Sequence, residues 1–393
     1  MEDVLTRLQL LSAEMTLEPA EDTTPTVPHK PACFTPGQPN RNDSRKEAFI
    51  YPARLPDGQR IKLLKTQLSS ACERDCYYCP FRAGRDFRRA TFRPEEFARI
   101  FLQLVQNGIA EGLFLSSGLA GGGVRTQDRL IETAEILRFK LDFRGYIHLK
   151  IMPGAEHAQV ERSMQLADRV SVNLEAPNSS RLARLAPHKQ FMQELLQPLK
   201  WVHDIRKNQP AERGWNGRWP SSVTQFVAGG AGESDLELLT ATDYLFRHLG
   251  LKRTYFSPFS PVADTPLENQ PPTPAIRELR LYQASFLLRD YDFSLEDLPF
   301  EPEGWLPIAM DPKQAWAWTH LRHRPIEINR ADRGELLRVP GIGPKGADAI
   351  LRARRSARIR ELSTLKILGV LADRAAPYLL LDGHRSPYQE LLL

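Results

Sequence analysis

The chain has 393 residues, of which 41% are hydrophobic and 26% charged, and its formal net charge is +5. These values are ordinary for a globular protein that buries a core, and the length allows one large domain and a small one. No apolar run approaches the roughly 20 residues that cross a bilayer, and the opening Met1-Glu2-Asp3 starts no secretory signal, so we expect a cytoplasmic protein that contacts no membrane.

The first 45 residues are expected to form a short helix and a disordered linker. Apolar residues recur at helical spacing from Val4 to Leu11. Residues 23–43 are rich in Pro, Thr, Asn and Gly, a composition typical of an extended, poorly ordered linker. The fourth cysteine of the chain, Cys33, lies in this stretch, and we interpret it as an incidental free thiol.

From about residue 46 the pattern becomes a regular alternation of strands and helices. Short apolar runs predict six strands, with stretches of helical periodicity between them. The strands are Ile61–Leu68, Gly112–Ser116, Tyr146–Met152, Arg169–Leu174, Val223–Val227 and Arg253–Phe256. This alternation indicates an α/β fold with a parallel sheet. Six units are fewer than the eight of a closed TIM barrel, so we expect a partial (β/α)6 barrel over residues 46–324, with ligands at the carboxyl ends of its strands.

Three of the four cysteines follow the first predicted strand. Cys72, Cys76 and Cys79 lie within eight residues, at the spacing C-x3-C-x2-C. Disulfide frameworks spread an even number of cysteines along a short secreted chain, so this group predicts a metal or cluster site instead. Thiolates bind the irons of [4Fe-4S] clusters, which take four ligands. Three cysteines can hold three irons and leave the fourth open to a small molecule, as catalytic metal sites keep one position free.

A zinc site is the alternative explanation of the same cysteines. Zinc requires a fourth ligand, and no further Cys or His lies near the loop in sequence. Zinc sites are also built mostly from C-x2-C pairs, which would leave Cys72 without a role. The spacing therefore favours an iron–sulfur cluster, with zinc as the alternative.

The cysteine loop, with aromatic Tyr78 before its last cysteine and a strand directly before it, resembles the radical S-adenosylmethionine (SAM) superfamily. The resemblance implies a TIM-like partial barrel with a [4Fe-4S] cluster on Cys72, Cys76 and Cys79. It implies that SAM chelates the fourth iron, and that an external electron donor drives cleavage of SAM to a 5′-deoxyadenosyl radical, which abstracts hydrogen from the substrate. The sequence identifies no residue that handles the substrate radical.

The resemblance also implies contacts to SAM at later strand ends. The superfamily carries Gly-Gly-Glu after its second strand, where this chain has Ser116-Ser117-Gly118, so the carboxylate is missing. At the fourth strand, Asn173 and Glu175 correspond to the polar end that holds the ribose hydroxyls; a carboxylate binds a ribose diol in dinucleotide sites too. At the fifth strand, residues 230–233 match half of the adenine-binding pattern. The expected SAM-binding residues are Tyr78, Ser116, Ser117, Gly118, Asn173, Glu175 and Gly230.

Three further segments resemble one particular group within the superfamily. These segments are Arg89–Phe92, Phe114–Gly118 and Tyr255–Val262. They are similar to a group of radical SAM proteins assigned to DNA modification or repair. That group carries a C-terminal helix-hairpin-helix and is often linked to a uracil-DNA-glycosylase-like partner. The similarity covers most of the chain from about residue 46. Because the reaction of the group is not established, the resemblance implies DNA and such a protein as partners without naming a substrate.

The last portion, residues 325–393, is expected to be a small all-α module. From Leu321 onward the chain has 14 basic and 8 acidic residues, a net charge of +6, against −1 for everything before it. Such an asymmetry suggests a polyanionic partner. Residues 336–350 are typical of a helix-hairpin-helix, in which Pro344 opens the second helix.

The hairpin carries the expected nucleic-acid contacts. Glycines let the backbone approach a phosphate closely, and the N-terminus of the second helix offers free N–H donors. The expected nucleic-acid-binding residues are Arg338, Gly341, Gly343, Lys345 and Arg352. Contacts of this kind read phosphates and carry no sequence information. The alternative is a hairpin that packs internally or binds protein, and the choice between DNA and RNA is open.

Together these patterns favour a radical SAM enzyme that acts on a nucleic acid, in DNA modification or repair. With no second group of cysteines, an auxiliary cluster and sulfur insertion are not expected. An enzyme that modifies tRNA or a free nucleotide is one alternative. The alternative from another class is a nucleic-acid-binding adaptor that recruits a repair partner and uses its cluster for structure or redox sensing.

Overall fold

The computed structural model describes residues 4–13, 15, 18, 49–54 and 58–385. The predicted linker at 23–43 and Cys33 lie outside these residues. The chain divides into two compact units. The first comprises Met1–Glu233 with Tyr244–Ala275, and the second comprises Ser234–Asp243 with Ile276–Leu393. Residues 276–324 therefore group with the C-terminal segment.

The first unit is built on a curled seven-stranded sheet whose strands follow one another in sequence order. The strands are β1 (Ile50–Arg54), β2 (Arg60–Gln67), β3 (Gly112–Ser116), β4 (Tyr146–Lys150), β5 (Arg169–Ser171), β6 (Ser221–Ala228) and β7 (Arg253–Pro258). Strands β2 to β7 are parallel, each paired with the next. This confirms the predicted α/β fold with six parallel strands in an open, partial barrel.

Strand β1 was not predicted from the sequence. It pairs antiparallel with β2, with Ile50 opposite Leu64 and Arg54 opposite Arg60. Its five residues include Pro52, which cannot donate to a ladder and is tolerated because β1 is an edge strand. A short strand with a proline carries too weak a pattern to be recognised alone.

Helices cover the sheet and were largely predicted by their apolar periodicity. They are α1 (Val4–Ser12), α2 (Pro94–Gln106), α3 (Gly123–Glu135), α4 (His157–Leu166), α5 (Ser179–Leu185), α6 (Gln197–Asn208) and α7 (Asp235–Leu249). In α2, Pro94 occupies the first turn with two acidic residues, and Phe97 and Phe101 are buried. Two π-helical turns, Ile136–Lys140 and Phe191–Leu196, extend α3 and precede α6. None of the described helices combines the length and hydropathy that crossing a bilayer requires.

Helix α1 is part of the core of the first unit. It packs on β2 and buries Leu8 and Leu11 completely. Met15, just beyond it, is fully buried in a cluster that includes Leu63 of β2 and Phe114 of β3. The N-terminal segment is thereby fixed against the sheet although the linker that follows it separates it from β1 in sequence.

The second unit contains helices and a small sheet. From α8 (Ala275–Asp290) the order is α9 (Pro312–His320), β8 (Ile326–Glu327), α10 (Arg333–Arg338), α11 (Pro344–Ala353), α12 (Leu362–Ile367), α13 (Ala372–Ala375), β9 (Leu379–Leu381) and β10 (His384–Arg385). Strand β9 pairs with β8 in parallel and with β10 antiparallel. The prediction of an all-α module is therefore wrong, because strands of two or three residues are too short to show alternation.

Two helical hairpins in this unit repeat at an interval of 28 residues. Gly341 turns the chain between α10 and α11 at φ 87°, and Gly369 does so between α12 and α13 at φ 78°. The backbone N–H of Leu371 donates to Gly341 O at 3.0 Å, which joins the two turns. A Cβ on Gly341 would lie 2.4 Å from Leu371 O, so this contact requires glycine.

A buried lysine supports the first turn. Lys313 of α9 donates from Nζ to Ile342 O at 2.6 Å and lies over the Tyr291 ring, 4.5 Å from its centroid. Burial lowers the pKa of Lys313 from 10.5 to about 7, although Asp311 opposes the shift. Between pH 7 and 10.5 the unfolded chain therefore binds a proton that the folded chain does not, and stability rises with pH.

We predict that the substitution Lys313→Met removes this pH dependence. The free energy of unfolding of the unsubstituted protein, relative to that of Lys313→Met, should rise by up to about 1.4 kcal/mol per pH unit above pH 7. Urea unfolding at pH 7, 8 and 9, followed by tryptophan fluorescence, measures the difference. A difference that stays constant over this range would contradict the assignment.

Candidate active site

The cysteine loop follows β2 and is fixed by backbone hydrogen bonds to its neighbours. Glu73 N donates to Leu119 O beyond β3, and Tyr77 N donates to Leu185 O at the end of α5, both at 2.7 Å. These bonds hold the loop between the ends of several elements that reach the same edge of the sheet. The three predicted cysteines are free thiols, and Cys76 is buried.

Gly118 lets the chain after β3 pass against this loop. Its N–H donates to Ser69 O at 2.7 Å. A Cβ at this position would lie 2.3 Å from Ala71 O, which is closer than real Cβ atoms approach, and 3.2 Å from Cys72 Cβ. The missing side chain at Gly118 is therefore a packing requirement of the cysteine loop. It explains why no carboxylate can extend from this residue.

A cavity brings the cysteines together with the carboxyl ends of the strands. Predicted residues that line it are Cys72, Cys76, Tyr78, Cys79, Ser117, Gly118, Asn173 and Glu175. Its other charged lining residues are Glu18, Arg74, Lys150 and Lys189. Arg74 belongs to the cysteine loop and Lys150 lies near the end of the third predicted strand, so the positions of both were visible in the sequence. Glu18 and Lys189, which the sequence analysis missed, come from segments whose proximity to the sheet depends on the tertiary fold.

Two predicted SAM-binding residues lie elsewhere. Ser116 is buried and its hydroxyl donates to Glu18 at 3.4 Å. Gly230 is not among the residues that line the cavity. A Cβ on Gly230 would meet Leu185 Cδ2 at 2.8 Å and Phe259 Cδ2 at 2.9 Å, so side-chain packing accounts for this glycine. Both assignments remain predictions.

A buried ion pair connects β5 to the cysteine loop. Lys189 Nζ donates to Glu175 Oε1 and to the Tyr78 hydroxyl, each at 3.0 Å. The Lys189 and Glu175 side chains are only 8% and 6% exposed. Glu175 has a φ of 65°, a left-handed conformation that is unusual for a glutamate and is found preferentially at functional sites. This group places one cation and one anion beside the thiols.

Electrostatics at this group favour the charged forms of both partners. Burial alone would raise the pKa of Glu175, but Lys189, with Lys150, lowers it. Burial opposes the charge on Lys189, yet Cys76 and Glu175 raise its pKa above the usual value. Both groups therefore stay ionised at neutral pH.

The thiols behave differently from this pair. Burial raises the pKa of Cys76, with Lys189 acting in the opposite direction. Burial and the neighbouring Cys76 raise the pKa of Cys79. A buried thiol with a raised pKa keeps its proton until a metal displaces it.

The donor set fits an iron–sulfur cluster. Among the described residues, no three His, Cys, Asp or Glu side chains converge on a single metal ion. The cysteine ligands of a [4Fe-4S] cluster each bind a different iron and need no such convergence. Three thiols on one cavity wall, beside the buried cation Lys189, are compatible with that arrangement.

Comparison with known proteins agrees with this chemistry. Residues 66–243 match the Radical SAM superfamily. No curated protein matches the chain. The matched segment runs from the end of β2 into α7 and includes all three cysteines. Residues 66–243 therefore correspond to a radical SAM domain. The superfamily implies a [4Fe-4S] cluster and SAM as cofactors.

Solved structures of several radical enzymes are similar to part of the chain. The FeFe-hydrogenase maturase HydG from Carboxydothermus hydrogenoformans is 16% identical, with a TM-score of 0.45, over 58% of this chain and 51% of HydG. Methylornithine synthase, PylB, is 14% identical, with a TM-score of 0.45, over 58% and 61%. The radical SAM methyltransferase TsrM from Kitasatospora setae, solved with tryptophan and a SAM analogue, is 14% identical, with a TM-score of 0.39, over 56% and 39%. The chain thus spans about half of HydG, and none of the three is described as acting on DNA.

We predict that Gly118→Ala prevents stable cluster binding. The added methyl group must displace the backbone at Ala71, next to Cys72. After anaerobic reconstitution, iron and sulfide per chain should fall below about half of the unsubstituted value. Gly334→Ala is the matched control, because its Cβ would meet no atom closer than a side-chain oxygen at 3.3 Å. Equal iron content in the two variants would refute the packing argument.

We predict that Lys189→Met destabilises the first unit strongly. The substitution leaves Glu175 buried without its cation, which typically costs about 3–5 kcal/mol. The double variant Lys189→Met/Glu175→Gln should recover part of this loss. The control is Arg144→Met, which removes an exposed pair with Asp142 and should change stability by less than about 0.5 kcal/mol. Urea unfolding of the protein without cluster measures all three, and a loss below about 1 kcal/mol for Lys189→Met would contradict the prediction.

Proposed function

We propose that Cys72, Cys76 and Cys79 hold a [4Fe-4S] cluster, that SAM binds beside it, and that the substrate of the enzyme is a nucleic acid. When bound, a [4Fe-4S] cluster reduced by an external electron donor would transfer one electron to SAM, which would yield methionine and a 5′-deoxyadenosyl radical that abstracts hydrogen from the substrate. The proposed cluster and SAM site are supported by the three thiols in one cavity. The proposed nucleic-acid substrate rests on the charge of the C-terminal unit.

The chain's own residues have separate tasks in this cavity. The loop positions the three thiols, and Lys189 offsets part of the negative charge that deprotonated thiols bring. Lys189 also fixes Glu175 through Oε1. Glu175 Oε2 has no hydrogen-bond partner among the described residues, so it can accept from a hydroxyl group. This supports the expected contact of Glu175 with the ribose of SAM.

A row of exposed cations on α11 carries the nucleic-acid proposal. Lys345 and Arg352 lie seven residues apart, which is close to two helical turns, and therefore share one helix face. Arg355 follows just beyond the end of the helix. All three are exposed, and within residues 58–385 no ion pair or hydrogen bond of their side chains is found. Uncompensated cations beside a glycine turn and a helix N-terminus suit a phosphate backbone.

Arg338 has a different environment from the other predicted contacts. Its guanidinium pairs with Asp297 at 2.9 Å and lies 4.0 Å from the centroid of the Phe293 ring. The carbonyl of Gly341 is also engaged within the protein, because it accepts a hydrogen bond from the N–H of Leu371. We therefore assign phosphate contact to Lys345, Arg352 and the backbone at Gly343, and structural roles to Arg338 and Gly341.

The wider proposal keeps DNA as the nucleic acid, in modification or repair, in the cytoplasm. An external electron donor is required by the chemistry, and a uracil-DNA-glycosylase-like protein is proposed as a partner on the resemblance alone. The adaptor alternative is not retained, because the match of residues 66–243 to the Radical SAM superfamily supports an enzyme.

The test measures SAM cleavage under anaerobic conditions. The reconstituted, reduced protein is incubated with SAM, with and without single-stranded or duplex DNA, and 5′-deoxyadenosine is quantified. We expect formation that is lost in Cys76→Ala and stimulated by DNA. A full cluster without cleavage under any condition would refute radical SAM activity of this chain.

The nucleic-acid contact is tested separately by salt-dependent binding. Lys345→Ala/Arg352→Ala should lower DNA affinity similarly for all sequences and reduce the salt slope by about 2, since each phosphate contact contributes about 0.9. Arg358→Ala is the control, because Arg358 is exposed but paired with Asp382 at 2.7 Å. Unchanged affinity in the double variant would exclude this face of α11.

A further inference from the structure

Polar side chains from five parallel strands line the inner wall of the cavity. One residue comes from or directly follows each of β2, β4, β5, β6 and β7. They are Gln67, Lys150, Asn173, Gln225 and Ser257, and each is less than 10% exposed. We call these five residues the polar layer. A barrel interior that only needed to pack would be filled with branched apolar side chains, so this layer indicates a polar ligand.

The N-terminal segment adds a carboxylate to this layer. Glu18 lines the same cavity, and its Oε2 lies 2.7 Å from Lys150 Nζ. Its side chain remains 18% exposed, and among the described residues its Oε1 accepts only from the Ser116 hydroxyl, at 3.4 Å. Glu18 thus neutralises Lys150 and still presents acceptor capacity. Together with Glu18, the polar layer offers both donors and acceptors and has no net charge.

One atom of the layer lacks any partner in the described structure. Gln67 is 5% exposed and lines the cavity, yet its Oε1 has no hydrogen-bond partner among the described residues. A buried carboxamide oxygen without a donor is costly and is normally satisfied by a protein group, by water or by a ligand. Together with Glu18, Gln67 therefore presents two acceptors that a ligand bearing N–H groups would satisfy.

We propose that Gln67 and Glu18 bind the amino-bearing edge of a nucleobase, and that the part of the polar layer around Gln67 is the substrate-recognition site. This inference rests on the proposed nucleic-acid substrate and deepens it. A phosphate is a poor fit, because the cation of the layer is already paired with Glu18. A flipped-out base is read through hydrogen bonds to its edge, and carboxamide and carboxylate oxygens accept from the amino groups of adenine and cytosine. Phe81 and Phe259 line the same cavity and offer apolar surface to the faces of the ring.

The experiment compares four single-stranded oligonucleotides that differ only at the central position. The centre is cytosine, adenine, thymine or an abasic site, so phosphate contacts to the second unit are the same in all four. Binding of the full-length, reconstituted protein is measured anaerobically by fluorescence anisotropy. Saturating SAM is present without reductant, so that no turnover occurs and the adenine of SAM occupies its own site.

We expect cytosine or adenine to be bound about tenfold more tightly than thymine or the abasic centre. Gln67→Leu and Glu18→Gln should each reduce this preference to below about threefold, without changing affinity for the abasic oligonucleotide. Gln106→Leu, the same chemical change at an exposed position of α2, is the matched control. Iron and sulfide content per chain equal to that of the unsubstituted protein shows that the first unit of each variant is folded.

Three results would overturn this inference. These are equal binding of all four oligonucleotides, a preference for thymine or the abasic centre, and a preference for cytosine or adenine that survives in both variants. If all four bind equally while DNA still stimulates SAM cleavage, the proposed function stands and only the recognition site is wrong. If no oligonucleotide binds, the proposed nucleic-acid substrate fails with it.

Discussion

The buried pair of Glu175 and Lys189 is the interaction on which the cavity depends. It joins the end of β5 to the cysteine loop through the Tyr78 hydroxyl, in a region with almost no solvent exposure. Neither charge is stable there without the other, because desolvation of a single ion costs several kcal/mol. The same lysine lies beside thiols that must lose their protons to bind iron. One cation therefore serves both the integrity of the strand end and the charge balance of the metal-binding loop.

Much of the barrel could be predicted from local sequence because parallel α/β folds leave a strong local pattern. Each buried strand is a short apolar run, and each covering helix repeats its apolar residues with helical periodicity. The cysteine spacing was equally informative, since three ligands on one loop need no tertiary information to be recognised together. Glu175 and Asn173 were accessible for a related reason. Polar residues directly after a buried strand are expected at the ligand-binding edge of the sheet.

The features that escaped prediction depend on contacts between distant segments. Lys189 and Glu18 belong to stretches without a motif, and only the folded chain brings them to the strand ends. Strand β1 is short and contains a proline, so it is visible only through its pairing with β2. The second helical hairpin lacks the Gly-Ile-Gly signature of the first, because Leu371 stands where the first has Gly343. Its similarity lies in the backbone turn at Gly369 and in the 28-residue interval, which a search for motifs does not detect.

The burial of Leu8, Leu11 and Met15 determines which fragment of the chain can fold as an independent barrel. The segment that matches the Radical SAM superfamily begins at residue 66, yet these three side chains are fully enclosed by the barrel. A fragment cut to the matched segment would lose α1, β1 and nearly all of β2, and it would expose apolar residues of β3 such as Phe114. Exposed apolar surface of this kind promotes association between chains. The smallest folding unit of the barrel therefore includes the N-terminal helix.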